Sequence, residues 1–390
     1  MSFANYFVTD SLCCPSRSSI FTGEFPHNSG VFRNLEPDGG YGGFNAHGNE
    51  PRTFAVALQR GGYRTAMLGK YLNGYRPAKN PPALGWNEWD VAGNGYPEFN
   101  YSLNENGKLV RYGSEPADYL TDVISRIALK FIAQSADTPF FIEAATFAPH
   151  APYVPAPRDA DAFAEVRAPR TPAFAAAPEG GTPQWLSRLP PLSRFDIAAI
   201  DRDFRKRAQS VLAVDRMIGD LRRAVAASGQ ADNTYFFFSS DNGYHMGEHR
   251  LMPGKMTAFD TDIRVPLVVT GPGVAHGQIL DEVVENIDLC PTFTGLAGVA
   301  IPASADGHTL VPLLREEPTA AWRSLAVVEH HGPLKQEADD PDTPPTAVAT
   351  RRPTEQSARA NGSTSNTTTA RASTTTAPAI PTSCKIASGR

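Results

Sequence analysis

Four short, almost uninterrupted apolar runs limit most strongly how this chain can fold: Arg64 to Leu68, ended by Gly69; Pro139 to Ala145; Thr234 to Phe238; and Val265 to Thr270, closed by Gly271-Pro272-Gly273. Runs of this length without polar alternation read as strands covered on both faces. Between them lie patterns of helical spacing. Tyr119, Leu120, Val123, Ile124, Ile127, Phe131 and Ile132 make one apolar face. A longer helix is expected from about Phe195 to Ala227, with Phe204, Val211, Val214, Met217, Ile218 and Leu221 on one side. A third should begin with Asp288 as its cap and run through Phe293 and Leu296. Strands alternating with helices imply an α/β architecture with a largely parallel sheet, whose ligands bind beyond the carboxyl ends of the strands. Polar residues gather at those ends: Lys70 after the first run, His150 after the second, Asp241 and Asn242 after the third.

The chain has 390 residues, 41% hydrophobic and 20% charged, enough to bury a sizeable core. A formal net charge of -5 argues against a nucleic-acid partner. No apolar run approaches the roughly 18 residues of a membrane span. The four cysteines, Cys13, Cys14, Cys290 and Cys384, are too few and too unevenly spaced for a disulfide framework or a zinc site. Cys290 reads as a small core residue. The opening Met-Ser-Phe-Ala-Asn-Tyr-Phe-Val has neither the basic region nor the apolar stretch of a signal peptide, and the sequence does not fix a compartment.

The most informative stretch is Leu12-Cys13-Cys14-Pro15-Ser16-Arg17-Ser18-Ser19-Ile20-Phe21-Thr22-Gly23. Pro15 suits the first turn of a helix and Gly23 its end. Cys13 then lies at a helix N-terminus, where backbone N–H groups favour an anion, with Arg17 close behind.

Cys13-x-Pro15-Ser16-Arg17 followed by Thr22-Gly23 resembles the signature of the formylglycine-dependent sulfatases, in the alkaline phosphatase superfamily. The resemblance makes Cys13 the position converted to Cα-formylglycine by a separate generating enzyme, since Cys13, unlike Cys14, has Pro two and Arg four residues on. Gly69-Lys70-Tyr71 is similar to the family's lysine element, Pro149-His150-x-Pro152 to its histidine loop, and Ser240-Asp241-Asn242-Gly243 to its metal-binding motif. Lys255, upstream of Ile263-Arg264-Val265-Pro266-Leu267, is similar to its second sulfate-binding lysine. The similarity runs to about Glu329, and within the family it looks most like the N-acetylglucosamine-6-sulfatase branch.

The resemblance implies sulfate-monoester hydrolysis, on sulfated sugars or aryl sulfates, through a formylglycine gem-diol. One hydroxyl would attack sulfur, and the other would lose its proton to eject sulfate. Calcium, or another divalent ion such as magnesium, would be held by Asp241, Asn242 and position 13. Lys70 and Lys255 would face sulfate oxygens, Arg17 would hold the gem-diol, and His150 would contact sulfate and protonate the leaving alcohol. His245 is a further candidate for contacting substrate. A phosphoester or phosphonate hydrolase of the same superfamily is the alternative, and an inactive remnant a third.

Two departures stand out. Many sulfatases have His two residues after the first lysine, where this chain has Leu72, then Asn73. The family also begins with a central strand ending in paired aspartate ligands, and only twelve residues precede Cys13 here. The expected fold is therefore an alkaline-phosphatase-like α/β sandwich, with a central mostly parallel sheet between helices, lacking the usual first strand and most of the C-terminal subdomain. Residues 1–320 are expected to be the catalytic domain and 321–337 the start of the subdomain. As written the chain should be nearly inactive, and restoring an upstream coding segment should recover calcium-dependent activity.

From about Ala338 apolar periodicity gives way to Thr, Ala, Pro, Ser and Arg, so 338–390 should be disordered. We expect this tail to be an out-of-frame reading. Every Thr codon begins AC, so each Thr becomes Tyr, Asp, Asn or His when the third base joins the next two. Asn361 to Thr367 can then encode Trp-Leu-Tyr-Val-Glu-Tyr, Ala372 to Thr376 Glu-Tyr-Tyr-Asp, and Ala379 to Cys384 Asp-Pro-Tyr-Glu-Leu, strings that resemble the end of sulfatases in that order. Resequencing the gene should show a single-base insertion or deletion between Glu329 and Asn361; stop codons in the shifted frame would refute it.

Overall fold

The computed structural model describes residues 1–135, 137–319 and 321–331, and the backbone of 367–371. Its strands are β1 (Ser2–Phe7), β2 (Arg64–Lys70), β3 (Glu88–Ala92), β4 (Ser102–Glu105), β5 (Lys108–Arg111), β6 (Phe140–Ala145), β7 (Phe236–Ser239), β8 (Leu267–Thr270), β9 (Ile279–Glu285), β10 (Leu325–Glu329) and β11 (Thr367–Arg371). They form a five-stranded sheet, β5-β4-β3-β2-β6, a four-stranded sheet, β7-β8-β1-β9, and the pair β10-β11.

In the larger sheet β2 runs parallel to both neighbours, β3 and β6. Its odd and even side chains enter different cores, Ala66 and Leu68 one and Met67 the other, which is why its sequence lacks polar alternation. The helices α1 (Cys13–Thr22), α2 (Phe54–Arg60), α3 (Leu120–Ala133), α4 (Arg194–Ala227) and α5 (Leu289–Leu296) build the layers around it. On one face α3 contributes Leu120, Val123, Ile124 and Phe131, and α4 adds Met217. On the other, Phe21 of α1 and Phe54 of α2 join Tyr71, Trp86 and Trp89 in an aromatic cluster. Burying each such ring contributes about 2 to 3 kcal/mol. That matters for α1, a largely polar helix buried almost throughout.

The two expected long helices have nearly the expected bounds. The longer starts at a capping box, with Ser193 and Asp196 bonding each other's backbone N–H. Asp288 precedes α5, but its carboxylate makes no cap to that helix; it accepts from Glu285 N, His308 N and Arg323. The sheet is not single and not mostly parallel. Only β1-β9, β2-β3 and β2-β6 pair in parallel among the described strands, because short hairpin connections turn β4 and β5 back on β3, and β8 lies antiparallel to both neighbours. β1 had no apolar run to announce it.

β6 and β7 end their sheets, with no described strand on their outer edges. Phe293 of α5 packs against both, its ring 5.2 Å from Phe141 and 5.1 Å from Phe237. In the tail, the backbone of Thr367–Arg371 pairs antiparallel with β10 as a strand. The rest of the tail, and residues 332–337 of the expected subdomain start, lie outside the described residues.

Asp90 is 3% exposed, with Glu105 its cross-strand partner and Glu88 two residues before it. Burial first, then Glu88 and Glu105, push its carboxyl up to about 8, with Lys130 opposing. A raised acid favours the fold while protonated, so its contribution is lost as pH climbs from the ordinary carboxyl range through about 8. Asp90→Asn should remove an alkaline loss on the order of a few kcal/mol. Denaturant melts of parent and variant at pH 5 and 9 check this; parallel pH profiles would show that Asp90 ionises normally.

Candidate active site

The site forms where the N-terminus of α1 meets the carboxyl ends of β2 and β7. Leu12 is the extended N-cap residue and makes no side-chain cap. The orphan N–H of Cys14 is met instead by Asn34 Oδ1 at 3.0 Å. At the other end Gly23 takes φ 75° and closes the helix onto Ser19 O, a conformation that favours glycine. Serines bind this polar helix into the core. Thr9 donates to Ser19 Oγ at 2.9 Å, Asn286 donates to Ser16 Oγ at 2.9 Å, and Ser16 Oγ donates in turn to the backbone carbonyl of Asp241.

Cys13 is 1% exposed, and two ammonium groups converge on its sulfur: Lys70 Nζ and Lys255 Nζ each donate at 2.9 Å. Lys70 ends β2 behind Gly69, which takes φ 94° and whose added Cβ would lie 2.2 Å from Ala145 O. Burial alone would lower the Lys70 ammonium, but Cys13, then Tyr96, outweigh it and hold the group above its usual range. Cys14 faces the aromatic core, where burial pushes its thiol up to about 12.

Arg17, one turn beyond Cys13, donates from Nε to Asp241 Oδ2 at 2.8 Å and from Nη1 to Lys70 O at 2.9 Å. Burial would raise the Asp241 carboxyl, but Arg17, Lys70 and Lys255 hold it well below the usual carboxylate range. Asn242 Oδ1 lies 3.4 Å from Lys255 Nζ. Gly243 has no room for a side chain, since a Cβ would stand 2.1 Å from Thr261 O. On β6, burial pushes Glu143 up to about 7, with Arg17 pulling it down and Asp241 adding to the rise.

His150 joins through Tyr96, whose ring is 4.6 Å from the imidazole and 5.2 Å from Lys70 Nζ. His150 Nδ1 lies 2.9 Å from Ala151 O; a carbonyl only accepts, so Nδ1 carries the proton and Nε2 is the basic nitrogen of the neutral ring. His245 is held by Asp262, 2.9 Å from its Nδ1, and packs on Gly254 beside Lys255. Cys13, Arg17, Lys70, Asp241, Asn242 and Lys255 thus converge, His150 sits one aromatic ring away, and His245 flanks the Lys255 loop. Sequence reasoning missed Tyr96, Glu143, Asp262 and Asn286. Asp262 lies one residue before the Ile263-Arg264-Val265-Pro266 element, whereas Tyr96 carried no local signal.

A hard divalent cation needs about six oxygen ligands. Here the Asp241 carboxylate is ion-paired with Arg17, the Asn242 oxygen faces the Lys255 ammonium, and position 13 lies between that ammonium and Lys70. Among the described residues no three His, Cys, Asp or Glu side chains come together as a metal site. These residues alone do not fit such an ion; the pocket is built for an anion.

A sequence model of the sulfatase family matches residues 1–299. The chain is 39% identical to human N-acetylglucosamine-6-sulfatase over 344 residues, 85% of this chain and 62% of that protein. To an arylsulfatase of Volvox carteri it is 33% identical, over 75% of this chain and 50% of the relative. The chain thus spans less than two thirds of these relatives. Among solved structures it is similar to one described in complex with its substrate D-glucosamine-2-N,6-O-disulfate (TM-score 0.72, 25% identity, 86% of this chain and 77% of that one). The phosphonate monoester hydrolase of Agrobacterium radiobacter shares the fold, with a TM-score of 0.64 at 20% identity, over 87% of this chain and 74% of that one.

Arg17→Ala would leave the Asp241 carboxylate buried without its nearest partner and should cost roughly 3 kcal/mol, less if Lys70 and Lys255 shift towards it. Asp241 is depressed in the fold, so the pair's contribution is present above the ordinary aspartate range and lost as pH falls below it. Urea unfolding at pH 7 and pH 3 should show a large difference between parent and variant at pH 7 and a smaller one at pH 3.

Proposed function

The chain belongs to the sulfatase family, and on that premise we propose that it hydrolyses sulfate monoesters at position 13, with sulfated aminosugars the favoured substrate class. One observation carries the reading: two buried lysines and a helix N-terminus converge on Cys13, while Arg17 ties that helix to the Asp-Asn-Gly turn. Buried ammonium groups that already face the reacting position stabilise charge that develops on a sulfuryl group without reorganising. The relatives support the substrate class, one being an N-acetylglucosamine-6-sulfatase and one solved neighbour holding a 6-O-sulfated glucosamine.

In this reading Cys13 is converted to formylglycine by a separate generating enzyme, and the hydrated aldehyde supplies two hydroxyls, one to attack sulfur and one to release it. Lys70 and Lys255 hold the group at position 13 and the sulfate oxygens facing it. Arg17 fixes α1 against Asp241. In the same reading His150 gives a proton to the departing alcohol; with Nδ1–H on Ala151 O, Nε2 is its exchanging nitrogen. No step is routed through a metal, since the described donors do not make its site. The catalytic domain is proposed to span 1–320.

In a version with the upstream coding segment restored, Cys13→Ala should abolish turnover, and Cys14→Ser should keep most of it, since Cys14 packs in the core; equal losses would undo the assignment. Intact mass of the peptide holding Cys13 reports conversion directly. Paired aryl sulfate, phosphate and phosphonate substrates should show kcat/KM for sulfate about a hundredfold higher, and a reversed order would favour the phosphoester or phosphonate reading.

A further inference from the structure

Resting on the sulfatase reading, we propose that His330, His331 and Phe32 form the subsite that receives the sugar ring of the substrate. None of these residues belongs to the motifs around Cys13. The placement follows from a chain of contacts. Asp10 lies on the loop between β1 and α1, three residues before Cys13, and is fully buried. Its Oδ1 is 3.0 Å from His330 Nδ1 just beyond β10, whose Glu329 N–H bonds Thr9 O at 2.8 Å. His331 stacks on Phe32, with centroids 3.9 Å apart and planes at 6°. Two residues on from Phe32, Asn34 holds the backbone N–H of Cys14. The histidine pair is therefore pinned to both flanks of the reacting position.

Its chemistry suits a pyranose. The flat Phe32–His331 stack, partly exposed, offers an apolar platform to a sugar face. His330, with its side chain a quarter exposed, has Nδ1 fixed by the Asp10 carboxylate, which sets the orientation of its ring. Asp10 Oδ2 is buried with no hydrogen-bond partner among the described residues. Such an acceptor costs stability unless a donor reaches it, and a bridging water that also meets a hydroxyl or ammonium of an aminosugar is one.

The test uses the full chain with unconverted Cys13, checked by mass, and two probes: methyl sulfate, which can fill only a sulfate pocket, and glucosamine 6-sulfate. Calorimetry should give the aminosugar at least about tenfold tighter binding. His330→Ala and Phe32→Ala should bring the two affinities together while leaving methyl sulfate within twofold. In the unsubstituted chain, the ring protons of His330 and His331 should shift with glucosamine 6-sulfate and stay still with methyl sulfate. That readout does not depend on a variant folding. Equal affinities with unmoved histidine signals overturn the subsite and leave the sulfate pocket standing. Loss of methyl sulfate binding, with the histidines still responding to the aminosugar, overturns the sulfate pocket alone.

Discussion

The arrangement depends on one side chain. Among the described strands no ladder bonds join the five-stranded and four-stranded sheets, yet the site needs Lys70 from one and Asp241 from the end of the other. Arg17 links them, with one nitrogen on the Lys70 carbonyl and another on the Asp241 carboxylate. A lysine could not repeat this, because the geometry uses two donors of a planar fork at once. The spacing from Cys13 has a cause as well. Helical side chains lean towards the N-terminus, so the residue one turn on lies beside the reacting position.

The charge pattern follows from that link. Lys70 and Lys255 are left to face position 13, while Arg17 is spent on Asp241, and burial pushes Glu143 up to about 7. The balance favours an anion, in keeping with a sulfate ester and at odds with an unaided divalent cation. Buried Cys14 shows how sharply environment separates neighbours: Cys13 takes bonds from two ammonium groups, and the next residue is packing.

Much of this was legible from residues alone. Lys70, His150 and Asp241 follow the apolar runs, where α/β folds put ligands, whereas Cys13 was singled out over Cys14 by the resemblance to the sulfatase signature that Pro15 and Arg17 carry. What escaped had physical reasons. β1 alternates too weakly to be read as a strand, yet pairs in the middle of its sheet. The split into two sheets, and the antiparallel turns of β4, β5 and β8, follow from tertiary pairing that local pattern does not encode. Tyr96 and Glu143 matter through neighbours far away in sequence. Glu143 interrupts the apolar run of β6, and Arg17 is the group that offsets part of its burial.

The open edges of β6 and β7 bear on the colloidal behaviour of the protein. Phe-Phe-Ile-Glu-Ala-Ala and Phe-Phe-Phe-Ser are aromatic strands with one charge between them, and each presents backbone donors and acceptors that no described strand satisfies. Edges of this kind recruit further strands, from the same molecule or from another copy. Protein concentration thus becomes a structural variable here: crowded chains are drawn towards edge-to-edge stacking, and whatever caps those ladders acts as a solubility device as much as a part of the fold.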